Sequence, residues 1–172
     1  MLGYRSNNIP GLFAEELNRG LSECDSFNDG GWVIKLFDDF NITGDSICIM
    51  NSCLDVGERV TDNIRQATCL AVITCTAGSR LGSLIEKFTH QGDLLKAYLY
   101  DILGTEIIYG ITENIYKVLK DKYATGMSDL FSPGSCGWNI KDQVHIFELL
   151  SDINNKVRLN KSCIMVPVKS LS

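Results

Sequence analysis

The sequence predicts an α+β domain covering residues 1–172, with a central, largely antiparallel sheet flanked by helices. Several segments carry apolar residues at helical spacing, and short β-type runs lie between them. Their order, α-β-β-α-β-α-α-α-β, lacks the regular β-α alternation of a doubly wound parallel sheet. A length of 172 residues, 45% of them hydrophobic and 22% charged, suits one globular domain with one sizeable core.

Taken in order, Leu12, Phe13, Leu17 and Leu21 stand at helical spacing and predict an amphipathic helix over about 11–24. Asn28-Asp29-Gly30-Gly31 then turns the chain. Residues 32–37 and 46–50 are β-type runs joined by Asn41-Ile42-Thr43-Gly44-Asp45, a hairpin-like connection, so the two runs are expected to pair as neighbours. Val56, Val60 and Ile64, four apart, predict a second helix that leads into the wholly apolar run 69–75, expected as a central strand. That run ends in Thr76-Ala77-Gly78-Ser79. Leu81, Leu84, Ile85 and Phe88 then mark another helix, with Ser79 as its expected cap.

Gly92-Asp93 opens the longest element, whose apolar stripe runs from Leu94, Leu95 and Tyr98 through Ile102, Ile107, Ile108, Ile111 and Ile115 to Val118 and Leu119. Gly104 and Gly110 inside it each cost about 1 kcal/mol relative to alanine, which predicts close packing of another element at both. Past Gly126 the chain reads as irregular until Asn139, the expected cap of a helix carrying Val144, Phe147 and Leu150. Asn154-Asn155 then turns into 157–159 and 163–168, one or two final strands that place Cys163 and Met165 in the core.

Composition excludes several functions. A net charge of −5 and a pI near 5.0 speak against a phosphate-binding surface, which needs clustered Lys and Arg, so nucleic acid is not an expected partner. Lys117, Lys120 and Lys122, interleaved with Asp121, read as a solvated face that suits a helix C-terminus. No stretch approaches the ~18 uninterrupted apolar residues of a membrane helix. The N-terminus also lacks a charged region followed by an apolar one, so no membrane association and a cytoplasmic location are expected. The seven cysteines are odd in number, scattered without a C-x-x-C pair, and several sit in apolar runs. Reduced, buried thiols are therefore expected, with no metal centre, and His90 and His145 are too far apart to add one.

Three local signals carry chemistry. Thr76-Ala77-Gly78-Ser79 presents backbone N–H groups at a helix start, where an anion can bind, although such turns more often only connect elements. Cys136, beside Gly137 in a loop, reads as a reactive thiol or, more commonly, a partly buried packing thiol. Trp138 either stacks on a flat ligand or anchors its loop to the core.

Order and spacing of motifs add a further layer. The chain has Leu2-Gly3-Tyr4-Arg5, then Thr76-Ala77-Gly78, Gly92-Asp93, Asp101-Ile102-Leu103-Gly104 and Glu113. These are followed by Ser132-Pro133-Gly134-Ser135-Cys136-Gly137-Trp138 and by the closing run Leu159-Asn160-Lys161-Ser162-Cys163-Ile164-Met165-Val166-Pro167-Val168-Lys169-Ser170-Leu171-Ser172. In this series the chain resembles the activation domain of cobalamin-dependent methionine synthase and its short stand-alone relatives, over nearly its whole length and least between residues 6 and 66.

The resemblance implies a domain that binds S-adenosylmethionine and supports reductive methylation, and so reactivation, of a corrinoid (vitamin B12) protein. A partner protein would supply the cobalamin and a donor protein one electron. In that chemistry the reactive centres belong to cobalt and sulfonium, and the protein binds and aligns them. The resemblance places ligand contacts at Ser132, Pro133, Gly134, Ser135, Cys136 and Trp138, with Thr76, Gly78 and Glu113 as secondary candidates. It departs from the family pattern at Leu130, where an Arg is usual, at Ser135, where a Tyr is usual, and at Tyr109, where an acidic residue is usual. A further aromatic contributor of the family lies beyond the Lys-Ser-x-Ser segment, which here ends at Ser172. Loss of the Arg removes a bidentate partner for a ligand carboxylate. The alternative of another class is a non-catalytic module of this fold that docks on a corrinoid protein or a related partner.

Overall fold

The computed structural model describes residues 11–22, 29–123 and 126–172, and fourteen elements follow one another among them. They are α1 (Gly11–Ser22), β1 (Gly31–Phe37), β2 (Phe40–Thr43), β3 (Ser46–Ile49), β4 (Ser52–Asp55), α2 (Glu58–Ile64), β5 (Leu70–Thr76), α3 (Ser79–His90), α4 (Leu94–Tyr123), a 3-10 turn (Ile140–Asp142), α5 (Gln143–Leu149), β6 (Arg158–Leu159), β7 (Met165–Val166) and β8 (Ser170–Leu171). The Leu2-Gly3-Tyr4-Arg5 segment and Cys24 lie outside the described residues. Antiparallel sheets flanked by helices are the observed architecture, as expected.

The apolar run before Thr76 is the central strand of the main sheet, whose order is β1-β5-β8. β1 pairs antiparallel with β5 from Gly31↔Thr76 to Phe37↔Leu70, and β8 adds Leu171 opposite Cys75 and Ser170 opposite Thr76. The expected pairing of 32–37 with 46–50 is therefore corrected. The stretch read as their connection is itself a strand, β2, and the true turn is Gly44-Asp45, with Thr43 opposite Ser46. β2, β3 and β4 form a separate antiparallel meander. Length explains the sorting: β1 and β5 are both seven residues, whereas β2, β3 and β4 are four each.

Alternation along β3 and β4 buries Ile47, Ile49 and Leu54 while Cys48 and Cys53 point to the other face. The buried set joins Phe37, Val56, Val60, Ile64, Val72, Trp138, Ile146, Leu149 and Leu150 in one core. Across the main sheet, Cys75, Ala77, Leu81, Tyr100 and Ile108 form a second core under α3 and α4. Two cores replace the single one expected, because β5 is covered on both faces.

α4 runs for 30 residues, and Asp93 caps it by accepting a hydrogen bond from the Lys96 backbone N–H at 3.2 Å. Gly104 does face a close neighbour: a Cβ there would sit 2.7 Å from Leu81 Cδ2 and 3.0 Å from Lys169 Cγ. Gly110 does not, since nothing lies within 4 Å of its added Cβ, and the expectation of close packing at that position is corrected. Part of the predicted stripe is also outward: Leu94, Tyr98 and Val118 are exposed. α1 lies against α4, its Gly20 over Leu103 and Tyr100.

Asn139 accepts from the Lys141 backbone N–H and starts the 3-10 turn that leads into α5, as its type predicts. Cys163 and Met165 are half-buried rather than core, because β7 is only two residues long and lies in the β6-β7 ribbon. Expectations for the thiols also change. Cys48 and Cys53 are joined in a disulfide, and Cys69 and Cys136 are exposed; of the described cysteines only Cys75 is a free, buried thiol. Their apolar neighbours in sequence say nothing about which face of a strand or turn they occupy. Among the described residues, no helix is long and apolar enough to cross a membrane, and no group of three or more His, Cys, Asp or Glu is placed to hold a metal ion.

Candidate functional site

The 132–138 loop is a tight double turn closed by its own hydrogen bonds. The Gly134 N–H donates to the Trp138 carbonyl (2.8 Å), the Trp138 N–H to the Ser135 carbonyl (2.8 Å), and the Ser135 N–H to the Ser132 carbonyl (3.0 Å). Gly134 (φ 93°) and Gly137 (φ 85°) make this path possible, and Cys136 between them also adopts positive φ (53°). The Ser135 hydroxyl donates back to the Ser132 carbonyl at 2.7 Å. Trp138 is 8% exposed, and its indole N–H donates to Asp142 at 3.0 Å, so the ring anchors the loop in the first core. What remains outward is Gly134, Ser135, Cys136 and Gly137. Among the described residues, nothing accepts from the Cys136 and Gly137 backbone N–H groups.

Thr76 and Gly78 lie at the far end of β5. Thr76 is buried; its hydroxyl donates to the Lys169 carbonyl (3.0 Å) and accepts from the Gly78 N–H (3.1 Å). Gly78, at φ 97°, is the residue before α3, and the carboxylate of Asp29 occupies the space a Cβ would need. That carboxylate is the cap of α3. It accepts from the Ser79 hydroxyl (2.7 Å), the Ser79 N–H (3.2 Å) and the Arg80 N–H (3.2 Å), so the expected capping role of Ser79 is corrected to that of a donor. Partial burial works to raise the Asp29 pKa, but the Ser79 hydroxyl and the two backbone donors outweigh it and hold the carboxyl below its ordinary range. The N–H groups at this helix start are thus already engaged by the chain's own anion.

Glu113 is exposed on α4. Leu130 and Tyr109, at the positions of departure from the family pattern, are exposed as well. No hydrogen bond, ion pair or shared core among the described residues joins the 132–138 loop, the Thr76–Gly78 turn and Glu113. Two hollows lie elsewhere. One is an open groove of about 360 Å³ between Asp38, Asn41, Ile42, Arg65 and Thr68. The other, about 70 Å³, lies between Trp32, Asn155 and Val157.

Asp29 and Lys169 are the polar residues that sequence reasoning missed here. Lys169 pairs with Asp101 (2.8 Å) and donates to the Thr105 hydroxyl (3.1 Å), while its carbonyl accepts from Thr76 and from the Ala77 N–H. Nothing local marks Asp29, which lies just before β1 and reaches its partners fifty positions away. Lys169 does fall within the closing run 159–172, though without a role there.

No protein-family model matches the sequence, and no curated protein matches it either. A solved structure does: the MetH reactivation domain bound to AdoHcy superposes with a TM-score of 0.72 at 16% sequence identity, covering 99% of this chain and 68% of that one. At that identity the likeness speaks for architecture, and the chain has the fold of the MetH reactivation domain.

Proposed function

We propose that this chain is a stand-alone counterpart of the reactivation domain, binding S-adenosylmethionine and supporting reductive methylation of the cofactor on a corrinoid-binding partner. The observation that carries this reading is the fold itself, shared over 99% of the chain with a domain bound to AdoHcy, the molecule left when S-adenosylmethionine gives up its methyl. Motif order supports it independently, through the 132–138 and 159–172 segments.

Ligand contact is assigned to the rim of the 132–138 loop. Ser132, Pro133, Gly134 and Trp138 shape and anchor the turn, while Ser135, Cys136 and the Cys136 and Gly137 backbone N–H groups meet the ligand's polar end. Thr76 and Gly78 set the end of β5, and Glu113 offers a carboxylate to a cationic group. These residues hold and orient; the ligand supplies the electrophilic methyl, and the partner supplies the corrinoid that receives it. With Leu130 in place of an Arg, binding is expected in the millimolar range, since losing a charge-assisted pair costs on the order of several kcal/mol.

A second reading, a docking module without ligand, is favoured by one specific observation: Ser135 and the α3 N-terminus have their polar groups engaged within the chain. Isothermal titration with S-adenosylmethionine and AdoHcy separates the two. Heat that grows on Leu130→Arg supports the first reading. No heat at millimolar ligand, for native protein and variant alike, leaves only the second.

A further inference from the structure

We propose that Cys48 and Cys53 form a thiol–disulfide exchange site on the open face of the β2-β3-β4 meander, cycling between the closed disulfide and a free dithiol. The two residues are directly opposite in register, with Cα atoms 4.1 Å apart, the spacing of a non-hydrogen-bonded antiparallel pair, in which side chains approach most closely. Their strands are joined by the short turn Met50-Asn51.

Position separates this bridge from a structural staple. It is five positions across, and a disulfide constrains the unfolded chain least when its loop is shortest. The hairpin has other support, from its strand pairing and from Ile47, Ile49 and Leu54, buried on the opposite face. Opening the bridge therefore removes no core contact. Access is also direct, because Cys53 is exposed and Cys48 half-buried. Attack by an external thiolate is governed by reach and by the leaving thiol, and Cys53 is the more exposed residue of the two.

The reaction balances with a small dithiol as reductant. One reductant thiolate attacks Cys53 Sγ, the Cys48–Cys53 bond breaks, and Cys48 leaves as a thiolate that takes up a proton. The second reductant thiolate then attacks the reductant's own sulfur in the mixed bond, releasing Cys53 and closing the reductant's ring. The protein gains two electrons and two protons, and the dithiol loses the same.

The test is differential alkylation of the native protein, read by mass spectrometry of the peptides carrying residues 48 and 53, before and after dithiothreitol and again after oxidised glutathione. Opening is expected without denaturant, at a rate within about tenfold of that in denaturant, since access already exists in the fold. Oxidised glutathione should close the pair again, and the Cys48→Ser, Cys53→Ser double variant should keep the native circular dichroism. The proposal is overturned if the bridge opens only in denaturant, if the dithiol does not close again, or if opening abolishes the native spectrum.

Discussion

Asp29 serves α3 as a cap residue would, but from another part of the chain. Its carboxylate satisfies two backbone donors and a hydroxyl at once, and Lys156 holds the same segment by donating to the Asp29 and Gly30 carbonyls. Asp29→Ala should therefore cost about 1 kcal/mol in urea unfolding, the usual value of a lost N-cap. The pH dependence has a definite sign. The folded pKa lies below 3.8, so the stabilisation is complete above that value and is lost as pH falls through the folded pKa. Asp29→Asn should flatten the acid limb of a stability-versus-pH curve, and an unchanged limb would remove Asp29 as its source. Cys75 has the opposite behaviour. Burial pushes its thiol up to about 11 from 9.0, so the unfolded chain ionises first, and stability should decline between those pH values. Alkylation at pH 8 should modify Cys69 and Cys136 quickly and Cys75 only on unfolding, as a time course by mass spectrometry would show.

Within α4 the two glycines make a paired test of packing against propensity. Gly110→Ala meets open space and should stabilise by about 0.5–1 kcal/mol, the backbone-entropy difference between the two residues. At Gly104 the same gain is set against overpacking of about 1–3 kcal/mol, because the new methyl presses on Leu81, fully buried, and on the Lys169 stem. Thermal melts should rank Gly110→Ala above native and Gly104→Ala below it; equal midpoints would contradict the close approach of α3 to α4. The contrast shows what a sequence displays. Helical period, the start of α4 at Gly92-Asp93, the cap at Asn139 and the apolar centre of β5 are local properties, and each was legible. Strand partnership is not local: β1 chose β5 over β3 because of matching length and shared burial, which only the assembled cores decide. The loop at 132–138 was legible as a motif. Its self-closure was not, since Ser135 bonding to Ser132 depends on a backbone path through three positive φ angles.

Lys169 shows how the last strand is locked to the rest of the fold. Its carbonyl receives the Thr76 hydroxyl and the Ala77 N–H, its stem covers Gly104, and its ammonium pairs with Asp101 beside the Thr105 hydroxyl. One residue thus ties β8 to the end of β5 and to the middle of α4. β8 itself contributes only two residues to the main sheet, too few to hold an edge by strand pairing alone. The ion pair is partly exposed, so Lys169→Met, which keeps the stem and loses the charge, should cost no more than about 1 kcal/mol. Lys169→Ala also uncovers Gly104 and should cost more, because contact along the stem is lost together with the charge. Since the backbone links to Thr76 and Ala77 survive both changes, the loss should be local before it is global. Hydrogen exchange should accelerate at Leu171 and along α4 near Thr105 in Lys169→Ala, with β2, β3 and β4 unchanged. Uniform acceleration across both cores would mean that Lys169 acts on global stability and that β8 is held by something else.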